Sequence, residues 1–460
     1  MVTKANPVER LDEALAALPV MDAHTHLCGP HLGARGLHDL LLYHMLISDL
    51  YAAGCPSGAR LTEFPKWPDR EEAHRRIAEA IPFVPLIRNT SGAWMVRRLL
   101  GDLYGWHDPV TLDNWRKLDD LVRERADDPA WHRQVLAKAN IRRASAEYAR
   151  RGAGEADDCL QYSLEWGMFM RCQWGEYDTA LYELERAWGR PPQGTAPIGT
   201  AKRPASERTI RSLDDTHAAL DHYVESIPYG RVISTAMHLS TDIDYRLPGS
   251  DEVVAALKQR SVAGPAERDI YAAYIAEEFF KRLERHGDKI VFQFSLAAEP
   301  LPFETGSRIR EKTIAQLAQI IARHPRLRFQ CFLASRHANQ SLCTLCRELP
   351  NFSLAGYWWH NFFPQSIREV FAERLDMLPL NKHVGFFSDA YCVEWVYGKW
   401  AMVRRQMAQV LAERVGAGQF SFDDAVKMAG HLVYETPRTL LAMKEKDEAR
   451  KAEGKSKTDN

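Results

Sequence analysis

Two histidines stand one residue apart, His24 and His26, directly after the apolar run Leu18-Pro19-Val20-Met21. Alternate side chains of a strand face the same way. The stretch Asp22-Ala23-His24-Thr25-His26-Leu27 would therefore project both imidazoles from the end of one buried strand. Imidazole is a common ligand of divalent metals, zinc among them, so the pair suits a metal site. The plainer reading is two polar residues in a turn. A second apolar run, Val384-Gly385-Phe386-Phe387-Ser388, ends in Asp389. A carboxylate there is a third group of ligand type, or it caps a helix that starts at Ala390.

These groups need a scaffold that brings distant strand ends together. Apolar strands are expected at 231–239, 289–296, 327–334, 352–356 and 383–388. Helices are expected between and after them, at 268–286, 309–323, 338–349, 363–375 and 393–415. Strands alternating with helices argue for a parallel sheet. With polar residues just past each strand, the series argues for a (β/α)8 TIM-like barrel, whose chemistry sits at the C-terminal strand ends.

Residues 1–35 hold an N-terminal surface helix and the first barrel strand. Residues 36–150 read as a helical subdomain. Within it, Leu37 to Ala53 forms a helix stopped by Gly54, and further helices cover 94–103, 112–125 and 131–148. Ile81 to Asn89 is apolar and Pro-rich, and reads as a strand or extended segment. Residues 151–443 complete the barrel, with a Pro/Gly-rich loop at 190–206. The charged stretch 444–460 reads as a disordered tail.

The bulk properties narrow the function. The chain has 460 residues, a formal net charge of −1 and 26% charged residues. This balance argues against nucleic acid and anionic membranes as partners. No apolar run reaches the ~18 residues of a membrane span. The N-terminus lacks the apolar core and cleavage site of a signal peptide. Eight cysteines are scattered in a chain large enough to need no staples, as in the reducing cytoplasm. Cys343 and Cys346 form a CxxC inside a helical pattern, where they read as packing residues.

Several motifs resemble those of the amidohydrolase superfamily, and of its uronate isomerase branch in particular. Asp22 to Leu27 is similar to that family's Asp-x-His-x-His-Leu. His44 falls where the family has a His in a long helix. Arg88-Asn89 followed by Trp94 resembles an Arg-Asn…Trp segment. Phe292-Gln293-Phe294 resembles the family's sixth strand, and Arg336 an Arg after the seventh. Gly356-Tyr357-Trp358-Trp359-His360-Asn361 resembles a Gly-x-x-Trp-Trp-Phe-Asn run. Val384 to Asp389, followed by Arg404-Arg405, resembles the eighth strand and its helix.

The resemblance implies that His24, His26 and Asp389 hold a divalent metal, zinc by the type of ligand, with positions open to substrate oxygens. His44 would carry a proton during turnover, Asp389 or a metal-bound hydroxide would act as the base, and Arg88 and Arg336 would grip a substrate carboxylate. Trp358 and Trp359 would wall the pocket. His238 ends the apparent fifth strand, where many amidohydrolases place a further ligand; a core histidine satisfied by backbone is the alternative. The implied reaction is aldose–ketose isomerisation of D-glucuronate or a related sugar acid, with a proton moved between C2 and C1. The partner is then a small-molecule substrate, with room for a homo-oligomer.

The departures point elsewhere. Where the family has Ser-Arg after its eighth-strand Asp, this chain has Ala390-Tyr391. A sixth-strand His is replaced by Ser295, and a Tyr after the helical His by Met45. The fifth strand's Phe-Arg-Pro-Asp is absent; the chain reads Ser234-Thr235-Ala236-Met237-His238-Leu239. Tyr391, two residues past Asp389, would set substrate choice if the strand continues that far. The alternative function is metal-dependent hydrolysis of a small amide, ester or lactone. A barrel that only binds is a third reading, against which the retained ligands argue.

Overall fold

The computed structural model describes residues 6–27, 32–56, 69–126, 128, 130–147, 159–165, 184–185, 188, 210–239, 244–259, 264–287, 289–298 and 309–443. Eight strands lie in one parallel sheet in chain order. They are β1 (Val20–Thr25), β2 (Ile141–Glu147), β3 (Leu160–Glu165), β4 (Val232–Leu239), β5 (Val291–Leu296), β6 (Arg328–Leu333), β7 (Phe352–Ala355) and β8 (His383–Val384). The sheet curls until its ends meet. Asp389 N donates to His24 O at 2.9 Å, and His26 N to Ala390 O at 2.9 Å. Ser388 N donates to the Asp22 carboxylate at 2.8 Å.

A bond across the interior also fits closure. Gln293 of β5 donates through Nε2 to Ala23 O of β1 at 3.3 Å and to Gln330 Oε1 of β6 at 2.8 Å. Strands β1 and β5 are far apart in sheet order, so this amide spans the lumen. Gln330 passes the chain on to Ser353 of β7 at 3.4 Å. Met21, Ala23, Val291, Phe332, Ala355, Val384 and Phe387 form an interior apolar cluster, joined by Leu441 and Met443. A larger core lies between the barrel and its helices.

The helices are α1 (Pro7–Ala16), α2 (Leu37–Leu41), α3 (His44–Ala52), α4 (Arg70–Ala80), α5 (Ser91–Tyr104), α6 (Trp115–Ala126) and α7 (Trp131–Lys138). They continue with α8 (Leu213–Glu225), α9 (Ser250–Lys258), α10 (Pro265–Leu283), α11 (Glu311–Arg323), α12 (Asn339–Glu348), α13 (Pro364–Met377), α14 (Val393–Gly416), α15 (Phe422–Gly430) and α16 (Thr436–Leu440). Cys343 and Cys346 are buried and unbridged on α12, in a packing role.

α14 matters most for the site. It starts four residues past Asp389 and buries Trp395, Val396, Lys399 and Trp400. Its first turn anchors the helical region. Buried Glu394 accepts from Ala34 N at 2.9 Å, Tyr104 OH at 2.8 Å and Trp131 Nε1 at 2.7 Å.

Some local expectations fail for identifiable reasons. The helix expected over 131–148 ends at Lys138, because Asn140 turns left-handed at φ 53°. Ile141–Glu147 then becomes β2, between β1 and β3. Its run of Arg, Ala, Ser and Glu favours helix, and parallel pairing overrides that weak propensity. Ile81–Ile87 is a 3-10 helix, not a strand; Pro82 and Pro85 bring no N–H to a ladder. The helix expected over 37–53 is two helices, so His44 opens the second. The strands at 232–239, 291–296 and 328–333 are fourth, fifth and sixth in the sheet, one place earlier than the resemblance implied. The 190–206 loop and the 444–460 tail lie wholly outside the described residues.

Candidate metal centre

The closure of the barrel joins the two ends of the chain that carry ligand-type residues. β1 delivers His24 and His26, and the turn after β8 delivers Asp389. His26 Nε2 and Asp389 Oδ1 are hydrogen-bonded at 2.9 Å, and His24 Nε2 lies 3.8 Å from the same oxygen. One ligand atom from each residue falls within 4.8 Å of the other two. The imidazoles stand edge to face, with centroids 5.0 Å apart. All three side chains are largely buried, between 8% and 14% exposed. Two imidazoles and one carboxylate converging on one point suit a divalent cation.

Aromatic rings fix the ligands. His24 packs against Phe332 at 5.1 Å and Phe387 at 6.0 Å. Tyr391 lies flat on His26, with centroids 4.5 Å apart and planes within 10°. Tyr43 meets Tyr391 edge-on at 6.0 Å and stacks on Trp395 at 4.1 Å.

Behind Asp389 lies a buried polar group that the sequence did not single out. Tyr43 OH donates to Asp389 O at 2.8 Å. Lys399 Nζ lies 3.3 Å from that carbonyl and 4.0 Å from Asp389 Oδ2. Its ammonium also sits over the Tyr43 ring at 5.0 Å and the Phe362 ring at 5.2 Å. Burial pulls the Lys399 ammonium down to about 8, with Asp389 and Asp22 opposing. Burial pushes the Tyr43 phenol well up, helped by the Asp389 charge, so it stays a donor at neutral pH. Burial also raises the Asp22 carboxyl to about 7, against the hydrogen bonds from Ser388 and His24. A lone lysine inside the apolar run Trp395 to Val403 was the available signal for Lys399; Tyr43 was hidden beside His44.

The other expected site residues scatter. Trp358 packs partly buried against the interior cluster and stacks with Trp359 at 6.3 Å. Arg336 follows β6 and pairs with Glu369. Arg88 is exposed after the 3-10 helix. Among the described residues, no hydrogen bond or ion pair links Arg88 or Arg336 to the three candidate ligands. His238 lies on β4 in register with Ser295 of β5, and His44 is the first residue of α3. The side chains of both lie outside the described residues.

No family model and no curated protein matches the chain. Solved structures do. The uronate isomerase of Thermotoga maritima aligns at TM-score 0.71 and 14% identity, covering 95% of this chain and 97% of that one. The glucuronate isomerase of Caulobacter crescentus aligns at TM-score 0.70 and 17% identity, covering 95% and 94%. A proposed metal-dependent hydrolase from Lactobacillus casei aligns at TM-score 0.56 and 11% identity, covering 94% and 97%. At such identities the likeness establishes a shared fold: a (β/α)8 barrel with added helices.

Proposed function

We propose that the chain is a metal-dependent aldose–ketose isomerase acting on a uronic acid, D-glucuronate or a related sugar acid. The observation that carries this reading is the convergence of His24, His26 and Asp389 at the closure of a barrel shared with uronate isomerases. His24, His26 and Asp389 would hold the metal, zinc by ligand type. Once bound, it supplies the polarisation of neighbouring carbonyl and hydroxyl oxygens that makes the C2 proton of an open-chain sugar acidic. Asp389 would accept that proton on the oxygen turned away from the imidazoles. His44 would return a proton at C1. Trp358 and Trp359 would bound the sugar, and Arg88 or Arg336 would bind a distal carboxylate. The reduced cysteines among the described residues suit a cytoplasmic enzyme.

A second reading is hydrolysis of a small neutral amide, ester or lactone, with Asp389 taking the proton of the attacking water. One observation favours it: Tyr391, a neutral phenol, covers His26 where the isomerases resembled here carry a guanidinium.

Metal analysis of the purified protein, followed by NMR with glucuronate and galacturonate in heavy water, tests the two. Isomerisation puts solvent deuterium into the product sugar. A metal-loaded protein that incorporates none, yet cleaves neutral esters or lactones, would establish the hydrolytic reading instead.

A further inference from the structure

Asp389 sits at φ 51°, in the left-handed region that non-glycine residues rarely adopt. That conformation is disfavoured in an L-residue, so the surroundings must hold it. Its N–H is engaged by His24 O, and its carbonyl takes both the Tyr43 hydroxyl and the Lys399 ammonium. The carboxylate is divided: Oδ1 faces the two imidazoles, while Oδ2 lies 4.0 Å from Lys399 Nζ. An ammonium buried among aromatic rings is costly to desolvate. Lys399 nonetheless occupies that place on α14, ten residues past Asp389.

We propose that Tyr43 and Lys399 form a positioning clamp that holds the Asp389 main chain left-handed and divides its two carboxylate oxygens, one for the metal and one for proton transfer. The inference rests on the metal reading given above. Without the phenol, the Asp389 carbonyl loses its shortest donor. Without the ammonium, Oδ2 is free to swing round and make the carboxylate a two-oxygen ligand, which would consume a position needed by substrate. Neither residue touches substrate; both act through Asp389.

The test uses Tyr43→Phe, Lys399→Met and the double variant of the full chain, with folding checked by circular dichroism. In Tyr43→Phe, zinc affinity measured by chelator competition should fall about tenfold or more, the usual effect of removing a partner of a ligand. In Lys399→Met, the visible absorption of the cobalt-substituted protein should weaken as the coordination number rises. A crystal structure of the metal-free double variant should show Asp389 outside the left-handed region. Wild-type affinity and spectrum in both single variants would overturn the clamp, as would an unmoved Asp389 in the double variant. Failure of the metal reading is a separate result: it shows as no zinc bound by the wild type, while the metal-free structure still decides whether the clamp holds the backbone.

Discussion

At the scale of single residues, the ligand assignment makes a direct prediction. His24→Ala, His26→Ala and Asp389→Ala should each lose metal and activity while keeping the fold, read by metal analysis and circular dichroism. Full occupancy in the double histidine variant would refute the ligand set. Tyr391 bears on the same site differently. The sequence suggested that it sets substrate choice, and the structure lays its ring on His26. The phenol hydroxyl is not needed for stacking, so Tyr391→Phe should keep the metal affinity of the wild type. Tyr391→Ala removes the ring that restrains His26 and should weaken affinity severalfold, measured by chelator competition. Equal affinity in the two variants would mean that the stack does not orient the ligand.

At the scale of elements, the site depends on how β7, β8 and α14 seat against their neighbours. Gly356 follows β7 at φ 43°, and a Cβ there would clash with the Phe387 ring and lie 3.1 Å from Phe387 N. Phe387 in turn packs on His24. Gly356→Ala should therefore cost roughly 2 kcal/mol or more, through strain and overpacking, and weaken metal binding as well. Denaturant unfolding with a chelator assay checks both; a stable variant with normal affinity would show that the turn can relax. Glu394 is a second element-scale anchor. Glu394→Ala would strand Ala34 N, Tyr104 OH and Trp131 Nε1, at a cost of about 3 kcal/mol or more. Denaturation midpoints decide this, and a loss under about 1 kcal/mol would mean that water replaces the carboxylate.

At the scale of the whole molecule, acid stability should report one helix-to-helix tie. Glu277 of α10 meets Arg323 of α11 at 2.8 Å and His324 at 3.4 Å. Burial alone would raise its carboxyl, but hydrogen bonds from His324 and Arg323 outweigh that and bring it to about 2. A carboxyl depressed on folding stabilises above its unfolded pKa, and that contribution fades as pH falls through the folded value. The stability gap between wild type and Glu277→Gln should therefore be full at pH 6 and shrink between about 4.5 and about 2. Urea titrations across this range measure it; a gap that does not change with pH would rule out the linkage. No described helix is long and apolar enough to cross a membrane.

The sequence alone determined the repeating strand–helix rhythm, because burial on both faces of a parallel sheet leaves short apolar runs that are visible locally. It also exposed the three candidate ligands, since strand alternation pairs His24 with His26 and an apolar run ends at Asp389. It did not reveal β2 or β3: Ile141–Glu147 carries helix-favouring residues, and only its place between β1 and β3 makes it a strand. Nor did it reveal the division of the 37–53 helix, the 3-10 turn at Ile81–Ile87, or the early end at Val384 of the strand expected over 383–388. Tyr43 and Lys399 are 356 positions apart, and no local pattern links them to the Asp389 carbonyl. Local periodicity records which face of an element is buried. Which buried groups meet is decided when the segment after β8 closes on β1, and that contact exists only in three dimensions.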